Sequence, residues 1–310
     1  MNKELIIPKR LKKGDVIGII APSDSIQEKD EEEIKNSVEL MEKSGFKIEF
    51  GKFVRSNSLE YSASPEEKAY DINNMFLNQE IKAIFCVKGG ENSNTVFDYL
   101  DYNIIKNNPK ILCGFSDSTS VTNVINLKTG LVTFNGPTFK SLTSWDTNYG
   151  YKEVIKRFVD GSLELGTNDD NYFSIINGNA EGILIGGNIS LLYGMVAGKY
   201  ALDFKDKILF IEELGYESSP TRVSNMLTYF KQNGVFEEIK GIWVGNYEHE
   251  TSIELEKILL DVIGNSYKKP IIKSNNFGHT DRKTVIPIGT MAKIDTSLEK
   301  KIELIEKCVI

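Results

Sequence analysis

The chain has 310 residues, 40% of them hydrophobic and 26% charged, with a net charge of −7. That balance describes a globular protein long enough for two cores, and it argues against nucleic acid or an anionic membrane as the main partner. The opening MNKELIIPKRLKKGD lacks the continuous apolar core of a secretory signal, and no apolar run reaches the ~20 residues of a membrane span. A cytoplasmic protein acting on small molecules or peptides is expected.

In chain order, Val16 to Ala21 is a β-branched run ended by Pro22-Ser23, and Glu31 to Lys43 has helical periodicity with Ile34, Val38 and Met41 on one face. Lys47 to Phe50 reads as a strand, Pro65 to Leu77 as a helix with proline in its first turn, Ile81 to Val87 as a strand and Ser93 to Leu100 as a helix. Ile111 to Phe115, a helix from Ser118, and Leu131 to Phe134 extend the alternation. Residues 1 to 140 therefore predict an α/β domain with an open, mostly parallel sheet flanked by helices, whose ligands sit at the carboxyl ends of the strands. Residues 141 to 172 are polar and broken around one helix, Lys152 to Val159, and read as a linker.

A second, mixed α/β domain is expected over residues 173 to 310. Its strands are Glu181 to Ile185, Lys207 to Ile211, Gly241 to Gly245 and Pro270 to Ile272, followed by short ones at Val285 to Ile288, Met291 to Ile294 and Lys301 to Leu304. Helices are expected after Gly186-Gly187-Asn188, over Pro220 to Lys231 and over Ile253 to Ile263. Three cysteines, Cys86, Cys113 and Cys308, lack metal-type spacing and fit free thiols in a reducing compartment. With only His249 and His279 available, no metal is expected.

Chemistry concentrates at strand ends. Lys110 to Asn123, KILCGFSDSTSVTN, delivers Ser116 into a sharp turn before a helix, a geometry that holds Oγ at the mouth of a sheet beside free backbone N–H groups. An ordinary helix N-cap explains the same residues. Lys88-Gly89-Gly90-Glu91-Asn92-Ser93-Asn94 follows a strand and opens a helix, where N–H groups converge on an anion, or where a plain tight turn is needed. It lacks the phosphate-loop and dinucleotide fingerprints, so no nucleotide cofactor is expected. Glu212-Glu213 end an apolar strand, and His279 lies in a polar glycine loop. Serine, acid and histidine at strand ends suit a nucleophile, an orienting group and a base, since such sites depend on geometry and not chain order.

The chain resembles the LD-carboxypeptidase and microcin C immunity family of serine peptidases. The resemblance is carried nearly end to end by LKKGDVIGIIAPS, VKGGENSN, KILCGFSDSTSVTN, VTFNGP, GILIGGNISLL, KILFIEEL and NFGHTDRKTVIPIG. It implies Ser116 as nucleophile, Glu212 as orienting acid, His279 as base, and an oxyanion hole from the N–H groups of Gly90 and Asp117, in a site between the two domains. It also implies a homodimer. Its substrates would be murein tetrapeptides losing a terminal D-amino acid, or aminoacyl-adenylate analogues. Lys88, Glu91 to Asn94 and FNGP depart from the usual murein-recycling pattern and look like the immunity branch. Phe173 stands where many members carry tryptophan, so an aromatic face for adenine would have to come from Phe173, Tyr172 or Trp145.

Other residues admit two readings. Asn188 contacts substrate or caps a helix; Arg222 pairs with a substrate carboxylate or is solvated; Asp117 caps the helix while its N–H does the work; His249 is set aside from catalysis. A two-domain binding protein that hydrolyses nothing is the alternative function.

Overall fold

The computed structural model describes residues 5–143, 148–167 and 170–310. Among them, strands β1 (Val16–Ile20), β2 (Lys47–Phe50), β3 (Ile81–Cys86), β4 (Ile111–Gly114) and β5 (Thr133–Asn135) alternate with helices α1 (Glu31–Lys43), α2 (Pro65–Leu77), α3 (Tyr102–Asn107) and α4 (Thr119–Thr129). After α5 (Tyr149–Val154) come β6 (Tyr172–Ile176), β7 (Asn179–Asn188), α6 (Ile189–Tyr193), β8 (Lys207–Glu212), α7 (Pro220–Gln232), α8 (Val235–Glu238), β9 (Gly241–Val244), α9 (Leu255–Ile263) and β10 (Ile271–Ser274). Strands β11 (Ile286–Ile288), β12 (Met291–Asp295) and β13 (Ile302–Leu304) follow. No helix among the described residues is long and apolar enough to cross a membrane.

Local chemistry sets the elements. Ser64 accepts a hydrogen bond from the Glu67 N–H, Glu67 reaches back to the Ser64 N–H, and Pro65 opens the helix, so α2 starts where the sequence predicts. Strands β1, β3, β4 and β5 of the first sheet are almost wholly buried, as β-branched runs between helix layers must be, whereas edge strand β2 alternates between exposed and half-buried residues. Expected Ser93 to Leu100 forms a 3-10 turn, Ser93–Tyr99, with α3 separate beyond it. Expected Lys152 to Val159 starts earlier, as α5, and ends in a π-turn over Ile155–Val159.

The first sheet has the order β11-β5-β4-β3-β1-β2, and the second the order β13-β12-β7-β8-β9-β10-β6. Strands β1 to β5 pair parallel with one another, as do β7 to β10, whereas β11, β12, β13 and β6 are added antiparallel at the sheet margins. The fold is thus two α/β units, one with a mostly parallel sheet and one mixed.

One boundary departs from expectation. Ile286–Ile288 lies in the expected second domain by sequence but pairs antiparallel with β5, Ile286 opposite Asn135. It covers the free edge of β5, which would otherwise expose an unpaired ladder. The 141–172 stretch also does more than connect, since buried Phe158 packs edge-on against Phe85 and Phe134.

The two units are locked in register next to the site. On α4, Asn123 Nδ2 donates to Gly186 O at 2.9 Å, and Thr119 Oγ1 accepts from Asn188 N at 3.1 Å. The helix behind Ser116 is therefore docked on β7, the strand that places Asn188 opposite Glu212 in β8.

Candidate active site

Ser116 stands two residues beyond β4 with φ +61°, a left-handed conformation that costs a non-glycine residue about 1–2 kcal/mol. The chain then enters a 3-10 turn, Ser116–Ser118, and continues as α4. Ser116 lines a cleft of about 700 Å³ together with Gly89, Gly90, His279 and Lys283.

His279 reaches this cleft from the loop after β10. Gly278 precedes it at φ +100°, and a Cβ there would stand 2.8 Å from Glu212 Oε2, so only glycine lets the loop lie against the acid. The loop is fastened where Asn246 Nδ2 donates to His279 O at 2.9 Å, and where Arg282 pairs with Asp170 at 3.1 Å. His279 Nδ1 lies 2.7 Å from Glu212 Oε2, and Nε2 lies 3.0 Å from Ser116 Oγ. An ionised carboxylate only accepts, so in the neutral ring Nδ1 carries the proton and Nε2 is free to accept from Ser116. Glu212 is 1% exposed.

Burial by itself would pull the His279 pKa down, but the Glu212 charge and hydrogen bond, with Glu213 behind, outweigh it and hold the imidazole above its ordinary 6.5. A base of this kind works only when deprotonated, and a raised pKa moves that requirement to higher pH. Activity should therefore rise with pH, with an acid limb above 6.5 in kcat/KM. Glu212→Gln should shift the limb downward, and a pH–rate profile of both proteins checks it.

The two acids have different environments: Glu212 ends β8 against His279, and Glu213 is the first residue beyond the strand. Glu213, also buried, accepts from Asn188 Nδ2 (3.1 Å), Leu214 N (2.8 Å), Ser190 N (2.9 Å) and Ser190 Oγ (2.7 Å). Removing it leaves the Asn188 amide and the Leu214 and Ser190 N–H groups short of a partner, while the Ser190 hydroxyl keeps Ser218 Oγ at 3.3 Å. We expect Glu213→Ala to lower stability by about 2–4 kcal/mol, read as a fall in denaturation midpoint. Asn188 thus spends its amide on Glu213, at a helix start where its side chain makes no capping bond.

Gly90, at φ +150°, brings the turn after β3 up to Ser23 and Asp24. Asp117 ties three strand ends together: its carboxylate accepts from Ser23 Oγ and, at 2.8 Å, from Ser93 N, while its carbonyl accepts from Ser93 Oγ at 2.7 Å. Burial pushes the Asp117 carboxyl up, and the bonds from Ser23 and Ser93 oppose it. The Asp117 side chain is fully buried and turned to Ser23 and Ser93, not to the cleft.

Several residues that the sequence offers as site candidates fall elsewhere, for structural reasons. Tyr172 is buried, donating to Leu165 O at 3.0 Å, and Phe173 is exposed on β6 opposite Lys273; neither lines the cleft, where the aromatic residues are Tyr61, Phe115 and Tyr216. Trp145 lies outside the described residues. Arg222 is exposed on α7, and His249 bonds Thr251 Oγ1 at 2.9 Å, both away from the cleft lining. Lys88 and Lys140 line the cleft and share buried Asp30, at 2.9 and 2.6 Å. Burial works to raise the Asp30 carboxyl, yet these two lysines bring it down to about 2. Among the described residues no cluster of His, Cys, Asp and Glu could hold a metal ion, and the three cysteines are buried and unpaired.

A serine, a histidine and a buried carboxylate in one hydrogen-bonded line, at the carboxyl ends of strands from two α/β units, belong to the serine peptidase class. The chain is a member of the LD-carboxypeptidase family: residues 17–136 match the LD-carboxypeptidase N-terminal domain and residues 181–294 its C-terminal domain. A Bacillus subtilis protein named as a probable murein peptide carboxypeptidase is 30% identical over 301 residues, covering 94% of this chain and 92% of its own. The crystal structure of an MccF-like protein from Bacillus anthracis has a TM-score of 0.88 and 31% identity, covering 97% of this chain and 99% of its own. The microcin C7 self-immunity protein MccF of Escherichia coli is 26% identical over 315 residues, covering 91% of each chain. A structure of MccF in complex with glutamyl sulfamoyl guanosine has a TM-score of 0.89 at 25% identity, covering 98% of this chain and 99% of that one.

Proposed function

We propose that the chain hydrolyses an amide through an acyl-enzyme on Ser116, with His279 as general base and Glu212 as its orienting acid. The observation that carries this reading is the line Glu212 Oε2, His279 Nδ1, His279 Nε2, Ser116 Oγ, at 2.7 and 3.0 Å, on the wall of an open cleft. His279 takes the hydroxyl proton as Oγ attacks the carbonyl, Glu212 stabilises the imidazolium, and the proton passes to the leaving amine. Water activated by the same histidine then releases the acyl group. The N–H groups of Gly90 and Asp117 are assigned to the developing oxyanion, each contributing about 3 kcal/mol. In this division of labour the first α/β unit supplies nucleophile and oxyanion donors, and the second supplies acid and base.

The substrate is a small amide: a murein L,D-tetrapeptide or an aminoacyl nucleotide analogue. The family and the relative named for murein peptides support the first, and the MccF structure with a glutamyl sulfamoyl nucleoside supports the second. We also assign the chain to the cytoplasm, as a homodimer; buried unpaired cysteines suit a reducing compartment, and sedimentation equilibrium reads the assembly.

Mass spectrometry of the protein and its Ser116→Ala variant, each incubated with both substrates, tests the reading. Serine-dependent loss of D-alanine identifies the murein peptide, and serine-dependent release of the amino acid identifies the nucleotide analogue. Cleavage of neither, or cleavage that persists in the variant, refutes it.

A further inference from the structure

Among the described residues, Lys283 is a buried cation without an ion-pair partner on the wall of the reaction cleft. It is 8% exposed and lines the same cleft as Ser116 and His279. Its ammonium donates to Thr280 O and sits 5.1 Å from the centre of the Phe115 ring. The acids that act on it are Glu212, engaged with His279, and exposed Asp281; neither forms an ion pair with it among the described residues. Lys88 and Lys140, by contrast, are already neutralised by Asp30 and Glu33. Burying a charge without a counter-charge is costly, and here burial drags the Lys283 pKa down to about 8 despite those two acids.

The location says which part of a substrate would meet it. Phe115, the residue before Ser116, has the His279 ring 5.1 Å away and the Lys283 ammonium at the same separation from its centre. Lys283 and His279 thus flank the ring next to Ser116, and the Lys283 charge acts on His279, so in the reading above it stands beside the group that hands the leaving amine its proton. Resting on the reading above, we propose that Lys283 binds an anionic group carried by the leaving amine, within one or two bonds of the scissile nitrogen. Both substrate classes share this chemistry. A terminal amino acid places a carboxylate two bonds from that nitrogen, and an acyl sulfamoyl nucleoside carries its negative charge on the nitrogen and the attached sulfonyl.

Calorimetry on the Ser116→Ala protein tests this without turnover. The ligands are an L,D-tetrapeptide, its C-terminal carboxamide and an aminoacyl sulfamoyl-adenosine, titrated into Ser116→Ala alone and with Lys283→Met or Lys283→Arg added. The methionine variant should weaken the charged ligand by about ten-fold or more and the carboxamide far less, and arginine should restore most of the loss. Whichever charged ligand responds identifies the leaving group. Because methionine removes an uncompensated buried charge, the melting temperature should hold or rise. A fall in melting temperature with equal weakening of all ligands, or affinities indifferent to Lys283, overturns the proposal. Lys283-dependent binding without Ser116-dependent turnover would refute the hydrolysis reading and leave the anion site standing.

Discussion

Replacing Ser116 by alanine should lower kcat by about 10³-fold or more on a cleaved substrate, and adding His279→Ala should cost almost nothing further. The reasoning is geometric. In the proposed mechanism every task of His279 Nε2 begins with the proton of the hydroxyl 3.0 Å away, so without the hydroxyl no acyl-enzyme forms for it to serve. Independent contributions would multiply, and a double variant far below either single one would show that the two residues do not act as a unit. Folding should survive, because Ser116 is a partly exposed left-handed residue whose strain an alanine inherits unchanged. Glu212→Gln is a different experiment. It keeps the shape but lets the amide donate, so Nδ1 is no longer obliged to hold its proton, and the tautomer needed at Nε2 is lost. Steady-state kinetics on the parent, the two single alanine variants, their double variant and Glu212→Gln separates these effects.

What the sequence disclosed follows from how local each cause is. The elbow at Ser116 is legible because an apolar strand stops at a serine and a helix begins, all within KILCGFSDSTSVTN. The α2 boundary is legible for the same reason, its cap and its proline being adjacent in the chain. Choosing between Glu212 and Glu213 is not a matter of residue type. It comes from family resemblance, and the physical distinction lies in Glu212 meeting His279 from the last position of β8 while Asn188, Ser190 and Leu214 gather four donors around Glu213, one residue beyond the strand. The pairing of β11 with β5 joins residues about 150 apart, and a three-residue strand has too little pattern to announce its partner. Lys283 and Asp30 escape sequence reasoning because their signal is burial: a lysine and an aspartate read as solvent-facing until the fold covers them. The π-turn after α5 and the 3-10 turn at Ser93 are likewise beyond periodicity. At Ser93 the turn is held by the Asp117 carboxylate and carbonyl, twenty-four residues away.

Gly90→Ala should lower kcat by about 10²–10³-fold while leaving most of the fold in place. At φ +150° an L-residue is strained, and its Cβ would run into Ser23 Oγ and the Asp24 carboxylate. Ser23 is itself bonded to Asp117, so the collision cannot be relieved by moving Ser23 without disturbing the elbow. The turn must instead swing away, and the Gly90 N–H goes with it. A donor displaced by an ångström no longer meets an oxygen whose charge grows only in the transition state, so the loss should appear in kcat more than in KM. Gly198→Ala supplies the control: it carries positive φ, +88°, with nothing among the described residues within 4 Å of the new Cβ. Its cost should be about 1 kcal/mol of stability and no loss of turnover. If Gly90→Ala merely matched Gly198→Ala, losing stability but keeping kcat, the N–H of Gly90 would have no part in binding the oxyanion. A fall in kcat with a near-normal melting temperature would tie the Gly-Gly turn to the chemistry and would explain why Asp117 is buried so completely: its carboxylate holds in place the strand ends that position both donors.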